Sequence, residues 1–337
     1  MDIFDKKKIL ITGGTGSLGQ ALTKKILQSD VDSVRIFSRD EFKQTQMKSE
    51  FNDNRLRFLI GDIRDKFRLQ RAIENVDIVI HAAALKHITT AEYNPFEAVK
   101  TNIIGSQNLI DVCLDENVDT VLAVGTDKAV SPFNTYGATK LLMERLFISA
   151  NNYRGSHKTK FLAVRYGNVL GSRGSILPVL IDQIKNGKKI TITDPEMTRF
   201  NITMEDALNL ILRALKNGRT GCVFIPKLKS YKVSTLKDSL IELFNSNSET
   251  EIIGVRPGEK YHESLINEHE LRIAFENKED YILFDETVSQ LELDEEQNFT
   301  KASLKHDYSS DKVELLTIDE LKQELLQHKL VKSNLNQ

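Results

Sequence analysis

Two short clusters carry the side chains with the clearest chemical capacity: Tyr136 with Lys140, and Thr126-Asp127-Lys128 just upstream. The spacing Tyr-x-x-x-Lys puts both side chains on one helix face, a turn apart. A lysine ammonium there can lower the phenol's pKa and bind a ribose, making Tyr136 a base for alcohol oxidation. Thr126 ends an apolar run, where its hydroxyl can hydrogen-bond the same alcohol. The Tyr–Lys spacing alone is common, and Asp127–Lys128 alone also reads as a strand-end salt bridge.

Alcohol oxidation needs a hydride acceptor, and the N-terminus supplies a place for one. The run Thr12-Gly13-Gly14-Thr15-Gly16-Ser17-Leu18-Gly19 leaves a strand and opens a helix. Gly13 permits the tight turn, Gly16 lets backbone approach a pyrophosphate, and Gly19 allows close helix–strand packing. The helix N-terminus adds N–H groups and a favourable dipole. The second strand ends Ser38-Arg39-Asp40, with Lys43 one turn on. Arg39 and Lys43 can flank a 2′-phosphate with Ser38 as a donor, which favours NADP, although a solvated charged loop is the plain alternative. Asp62, before Ile63, can bond an adenine amino group, and Ala82-Ala83-Ala84 lets backbone pass close to a cofactor.

These residues need a scaffold, and the first half provides a regular one. Apolar runs at Lys8–Thr12, Val34–Ser38, Arg57–Ile60, Asp77–His81, Val121–Val124 and Lys160–Arg165 alternate with helix-like segments at Leu18–Gln28, Asp40–Glu50, Lys66–Glu74, Asn94–Glu116 and Tyr136–Asn151. Strand–helix alternation implies right-handed crossovers and a doubly wound parallel α/β sheet of Rossmann type. After Tyr166 the pattern loosens into a smaller C-terminal α/β substrate lobe. The division reads as 1–168 for the NADP-binding domain, completed by 203–226, with 169–202 and 227–330 forming the lobe. Residues 285–301 read as an acidic loop, and an amphipathic helix at Thr317–Leu326 closes the chain.

Composition narrows the partners. The 337 residues carry 46 Lys and Arg against 48 Asp and Glu, a net charge of −2, which argues against nucleic acid as the main partner. The two cysteines, Cys113 and Cys222, lie in apolar stretches and read as buried thiols. The seven histidines form no metal-ligand spacing, so no metal is expected. No apolar run approaches the roughly 18 residues of a membrane span, so a cytoplasmic protein is expected.

The glycine loop, Thr126, Tyr136/Lys140 and their order together resemble the extended short-chain dehydrogenase/reductase superfamily. The chain resembles more closely the UDP-N-acetylglucosamine 4,6-dehydratases of the inverting, pseudaminic-acid-pathway type, from about Lys8 to Tyr308. The resembling blocks include Ser38-Arg39-Asp40-Glu41, the stretch His81–His87, Ala91–Pro95, Lys100-Thr101-Asn102-Ile103 and Tyr136-Gly137-Ala138-Thr139-Lys140. They continue through Arg165–Val169, Gly171–Ser175, Met197-Thr198-Arg199-Phe200 and Val255–Lys260. Thr126-Asp127-Lys128 matches this group, whereas related hexose dehydratases carry Thr-Asp-Glu and simple epimerases lack the acid/base pair.

The resemblance implies a reaction sequence. Tyr136 takes the carbon 4 hydroxyl proton while NADP⁺ accepts the hydride; Lys128, as a neutral amine, removes the carbon 5 proton. Asp127 protonates the leaving hydroxyl on carbon 6, and the hydride returns there. A basic Lys128 needs a depressed pKa, expected from burial beside Lys140 and Lys86. The resemblance adds Lys86, Asn102 and Val169 to the cofactor site. It assigns Lys86, His87, Asn168, Gly174, Ser175 and Thr198 to the substrate. Arg173, Arg199 and Arg256 are candidate diphosphate clamps, Glu259 a ribose ligand, and Pro226-Lys227 neighbours of the uridine; a surface ion pair is the other reading of each arginine. A homo-oligomer pairing through Phe96–Leu114 and Tyr136–Asn151 is implied, although Leu109, Ile110, Leu142 and Phe147 equally suit a monomer core. Two departures stand out: Gly125 replaces a common Ser, and Asn201 replaces a common Trp, where it is expected to alter the pocket wall. A retaining dehydratase on a UDP or GDP sugar is the close alternative, ahead of a 4-epimerase or a non-catalytic NADP-binding protein.

Overall fold

The computed structural model describes residues 2–172, 174–284 and 299–331. The N-terminal half runs β1 (Lys8–Thr12), α1 (Ser17–Ile26), β2 (Ser33–Ser38), α2 (Glu41–Phe51), β3 (Leu56–Ile60), α3 (Lys66–Ile73) and β4 (Ile78–His81). Then come α4 (Ile88–Tyr93), α5 (Pro95–Val99), a π-helical turn at Lys100–Ile104, α6 (Gly105–Asp115), β5 (Thr120–Val124), a 3₁₀ turn at Asp127–Ala129, α7 (Thr135–Tyr153) and β6 (Lys160–Val164). The second half contains α8 (Ile176–Lys185), β7 (Ile190–Ile192), β8 (Thr198–Phe200), α9 (Met204–Asn217), β9 (Cys222–Pro226), β10 (Ser230–Lys232), α10 (Val233–Phe244) and β11 (Thr250–Ile252). It ends with β12 (Ser264–Ile266), a 3₁₀ turn at Glu270–Ile273, β13 (Ala274–Glu276), β14 (Asp280–Phe284), β15 (Thr300–Lys301), β16 (Tyr308–Ser309) and α11 (Ile318–Gln327).

The main sheet has ten strands in the order β15-β13-β14-β9-β6-β5-β4-β1-β2-β3. From β3 to β9 every neighbouring pair is parallel, and β14, β13 and β15 add antiparallel strands at the far edge. The order 3-2-1-4-5-6 reverses between β1 and β4, which opens a crevice at the strands' carboxyl ends. The strands are apolar on both faces because helices cover both. Leu10, Val79, Val121 and Phe161 pack into one core layer, while Ile9, Ile11, Ile80, Leu122 and Leu162 pack into the other. Residues 274–284 and 300–301, expected in the lobe, lie in β13, β14 and β15 of the main sheet, and β9, with α9 packed against it, is the neighbour of β6 in that sheet. Of the expected acidic loop 285–301, positions 285–298 lie outside the described residues.

The lobe holds a separate core in which Leu177, Leu180, Tyr231, Leu236, Leu240 and Leu321 join α8, α10 and α11. Its small sheets pair β8 with β10, β7 with β11, and β12 with β16. Helix starts are set locally: Asp40, Asp65 and Asn134 accept from backbone N–H groups at the N-termini of α2, α3 and α7. Thr203 and Thr317 form capping boxes with Asp206 and Glu320. Both cysteines are buried and unbridged, in α6 and β9. Among the described residues no helix is long and apolar enough to cross a membrane.

Candidate active site

The crevice at the sheet's switch point is a cleft of about 680 Å³, lined by Gly13 and by Thr15 to Gly19 on one side and from Ala82 to His87 on the other. Gly13 has φ +66°, and a Cβ there would lie 2.9 Å from the Ala83 backbone. Both facts require glycine, and any side chain would fill the cradle a dinucleotide occupies. A Cβ on Gly19 would run into the Gly14 backbone, so this glycine lets α1 start close against the loop. Thr15, Gly16, Ser17 and Leu18 line the cleft at the N-terminus of α1. The residues therefore fit a nicotinamide dinucleotide.

Thr12 and Gly14, expected to touch the cofactor, instead shape the loop from behind. Thr12 is buried; its hydroxyl bonds His81 Nδ1 at 2.8 Å and accepts from Ala83 N–H at 3.2 Å. His81 Nε2 meets the Ser106 hydroxyl at 3.0 Å, and Ser106 donates to the Asn102 carbonyl. Asn102 is likewise fully buried, clamped to the Leu85 N–H and carbonyl and to Thr139 Oγ1. The chain of bonds fixes the backbone from Ala83 to Leu85 from below. Asn102, expected as a ligand, acts through that backbone, and the π-helical turn re-aims its side chain inward.

At the end of the cleft beside β2 and β3, Ser38, Arg39, Asp40, Lys43, Asp62 and Ile63 all line the wall. Asp40 is turned to its helix: its carboxylate accepts from Lys43 N–H at 3.0 Å and pairs with Lys43 Nζ at 2.8 Å. Lys43 is thereby tied to Asp40 and not aimed alone at a phosphate. Arg39 is half-exposed and 3.7 Å from Asp62, which Arg64 holds with its Nε and Nη2. Ser38 Oγ accepts from Gln44.

The catalytic cluster forms where β5 ends. Asp127 N–H donates to the Tyr166 carbonyl at 3.0 Å, which seats the 3₁₀ turn against the end of β6. Gly137 brings α7 onto this turn, since a Cβ there would strike the Lys128 carbonyl. Gly125 is similarly tight: a Cβ would lie 2.5 Å from the Val164 carbonyl oxygen, so a serine here would require a shift. Tyr136, Lys140 and Asp127 are all buried. Thr126 Oγ1 donates to Asp127 Oδ1 at 2.8 Å and hydrogen-bonds the Tyr136 phenol. Lys128 Nζ reaches Asp127 Oδ1 at 3.1 Å, Asn168 Oδ1 at 2.9 Å and Glu263 Oε1 at 3.4 Å.

Charge in this cluster departs from expectation. Burial acts to lower the Lys128 pKa, but the carboxylates of Asp127 and Glu263 outweigh it and hold the amine charged. The expected depression by Lys140 and Lys86 is therefore overturned, because the nearer charges are negative. Burial pushes the Tyr136 phenol up to about 12, against the pull of Lys128 and the Thr126 hydroxyl. The Lys128 charge favours its phenolate. Lys140 itself is pushed down to about 7 by burial, with Glu144 opposing, and donates to the Val124 carbonyl at 2.6 Å and to Met143 Sδ.

The expected substrate residues divide. Lys86, His87, Asn168 and Gly174 line the cleft, as does Val169, expected at the cofactor, and Gly174, at φ +81°, packs on His87. Ser175 caps α8, and its buried hydroxyl lacks a partner among the described residues. Arg173 lies outside the described residues. Thr198 bonds His262 and Ser310, and Arg199 is buried on the carbonyls of Thr198 and Tyr261, with Glu259 at 3.2 Å. Arg256 is exposed, Lys227 pairs with Glu276 at 2.6 Å over Tyr281, and neither Lys227 nor Pro226 lines the cleft. Arg199 and Arg256 thus do not converge as an open clamp, and Glu259 is already paired. Asn201 also turns from the pocket, bonding Glu324 of α11. Sequence reading missed Glu263, whose only signal was its place after the 255–260 block, and the buried Arg165 with Glu144 and Glu270 that braces β6 behind Tyr166.

A doubly wound sheet, a glycine loop at its switch point and a buried Tyr–Lys pair define a nicotinamide-dependent enzyme architecture of the extended short-chain dehydrogenase/reductase type. The chain belongs to the polysaccharide biosynthesis protein family, whose model matches residues 9–284. It is 47% identical over 283 residues to the UDP-N-acetylglucosamine 4,6-dehydratase (inverting) of Campylobacter jejuni, covering 83% of this chain and 84% of the relative. It is 39% identical over 332 residues to a UDP-glucose 4-epimerase of Rickettsia rickettsii, covering 96% of each. The solved structure of Pen from Bacillus thuringiensis superposes with a TM-score of 0.92 at 41% identity, covering 97% of this chain and 99% of that one.

Proposed function

We propose that this chain is an NADP-dependent hydro-lyase that converts UDP-N-acetylglucosamine to a 4-keto-6-deoxy sugar with inversion at carbon 5. The buried Asp127–Lys128 pair, 3.1 Å apart beside Tyr136, carries the reading. Oxidation at carbon 4 uses Tyr136 alone; a second acid–base pair has work only if a proton leaves carbon 5 and a hydroxyl leaves carbon 6. The bound nicotinamide supplies the hydride acceptor at carbon 4 and the donor at carbon 6. Tyr136 takes the carbon 4 hydroxyl proton, with Thr126 and the Lys128 charge stabilising its phenolate. Lys128 removes the carbon 5 proton, and Asp127 protonates the departing hydroxyl.

Arg39 supports NADP over NAD as a cation at the ribose end. Lys86, His87 and Asn168 sit where the sugar enters, and the lobe takes the nucleotide once Arg199 exchanges Glu259 for a phosphate. The domain division and a cytoplasmic location, supplying surface-glycan or nonulosonic-acid synthesis, belong to the same proposal. A homo-oligomer is supported by Phe96, Leu142 and Tyr153, exposed on α5 and α7, whereas Leu109, Ile110 and Phe147 are spent in the monomer core.

The Rickettsia relative's name favours a 4-epimerase as the second reading. With UDP-N-acetylglucosamine, Lys128→Ala should accumulate reduced-nicotinamide absorbance, more slowly than wild type forms it because the Tyr136 phenolate loses a cation, and release no keto-deoxy sugar. Full turnover by that variant, or wild-type conversion to the carbon 4 epimer without loss of water, would remove the dehydratase reading.

A further inference from the structure

A lysine that removes a carbon-bound proton must first lose its own, yet this site holds Lys128 charged. Glu263, used by no step so far, lies against it at 3.4 Å with its side chain 3% exposed. Its backbone is fixed on Ser310 by paired bonds of 2.9 and 2.8 Å, and its Oε2 has no hydrogen-bond partner among the described residues. A buried, half-satisfied carboxylate is costly to keep. Around the pair stand Asp127, Tyr136, Arg199, Lys260 and Tyr231.

We infer that Glu263 is a positioning residue for Lys128, fixing the amine and accepting its proton when substrate excludes water from the site. The inference rests on the dehydratase reading of this same site. The transfer breaks one N–H bond at Nζ and forms one O–H bond at Oε1, with no change in net charge. A neutral pair is favoured over an ion pair once the surroundings become apolar. Burial already lifts the proton affinity of Glu263, and Asp127 adds to it, against Lys128, Arg199 and Lys260. Asp127 stays available for its own proton, delivered from Tyr136 through the Thr126 hydroxyl, so each carboxylate takes one. After elimination Lys128 keeps the carbon 5 proton, a solvent proton enters carbon 5 on the opposite face, and Glu263 releases to solvent the proton it took, which restores the starting charges.

The test compares wild type, Glu263→Gln and Glu263→Asp for reduced-cofactor formation, solvent-deuterium entry at carbon 5 and turnover across pH. Glu263→Gln should keep carbon 4 oxidation within about threefold while carbon 5 exchange and turnover fall roughly 100-fold near neutrality. Its acid limb should move at least about one unit toward alkaline pH, because Lys128 must then lose its proton to solvent. Glu263→Asp should restore the limb at a reduced rate, which a merely structural role would not produce. If Glu263→Gln keeps the wild-type profile and exchange, or if its acid limb moves toward lower pH as the loss of a counter-ion alone would dictate, the inference is overturned while the dehydratase reading stands. A wild type that forms no reduced cofactor and no keto sugar overturns that reading, and this inference with it.

Discussion

Gly137→Ala tests whether catalysis depends on how closely α7 lies on the acid–base turn. The new Cβ would meet the Lys128 carbonyl oxygen, with Lys128 C at 3.1 Å and Pro132 Cβ at 3.2 Å beyond it. Ordinary contact requires about 3.5 Å, so either the turn or the helix must yield by about 1 Å. In stability two effects oppose. Alanine gains about 1 kcal/mol over glycine in a helix, whereas overpacking costs about 1–3 kcal/mol, so the fold survives with a net loss of 0–2 kcal/mol. Catalysis has no such offset. Displacing Asp127 and Lys128 from Tyr136 by about 1 Å should lower turnover roughly 100-fold, or about 2.7 kcal/mol of barrier. Product formation followed by NMR, beside thermal melting and cofactor titration, separates the two effects. Turnover within about threefold of wild type in a normally folded variant would refute the reasoning.

Three further outcomes follow from the geometry. Arg39→Ala should weaken NADP binding about 10–100-fold and leave NAD affinity nearly unchanged, as read by calorimetric titration. Arg165→Met should destabilise the fold by about 3–5 kcal/mol in denaturant unfolding, because Glu144 and Glu270 would be left buried without their cation. His81 is pushed down to about 3 by burial, with Lys140 adding, so the folded state keeps it neutral while the unfolded chain protonates it below about 6.5. Its contribution is therefore fully present above that pH and lost on acidification toward 3; melting midpoints should fall across this window, with a shallower slope in His81→Gln.

The parallel sheet was legible because each strand must be apolar on both faces, and runs such as Lys8–Thr12 and Lys160–Val164 leave little else to build. The glycine loop was legible because Gly13 answers a local backbone demand. What lay beyond the sequence was the pairing of charges from distant segments. Arg199 and Glu259 satisfy one another, and Glu263 arrives at Lys128 only because β12 lies beside the 127–129 turn. Asn102 and Thr12 lie behind the cleft wall, since both spend polar atoms on the backbone of Ala83 and Leu85 that lines it. The Lys128 amine stays charged against the sequence expectation because adjacent Asp127 and, from far along the chain, Glu263 outweigh its burial.

The central claim is that Asp127 and Lys128 make this an eliminating enzyme. Wild-type protein incubated with UDP-N-acetylglucosamine and NADP in D₂O, followed by proton NMR, tests it most directly. The account predicts a 4-keto-6-deoxy sugar carrying deuterium at an inverted carbon 5. Deuterium at carbon 5 with its configuration retained would contradict the inversion, and an epimer at carbon 4 with every carbon-bound proton in place would contradict the elimination itself.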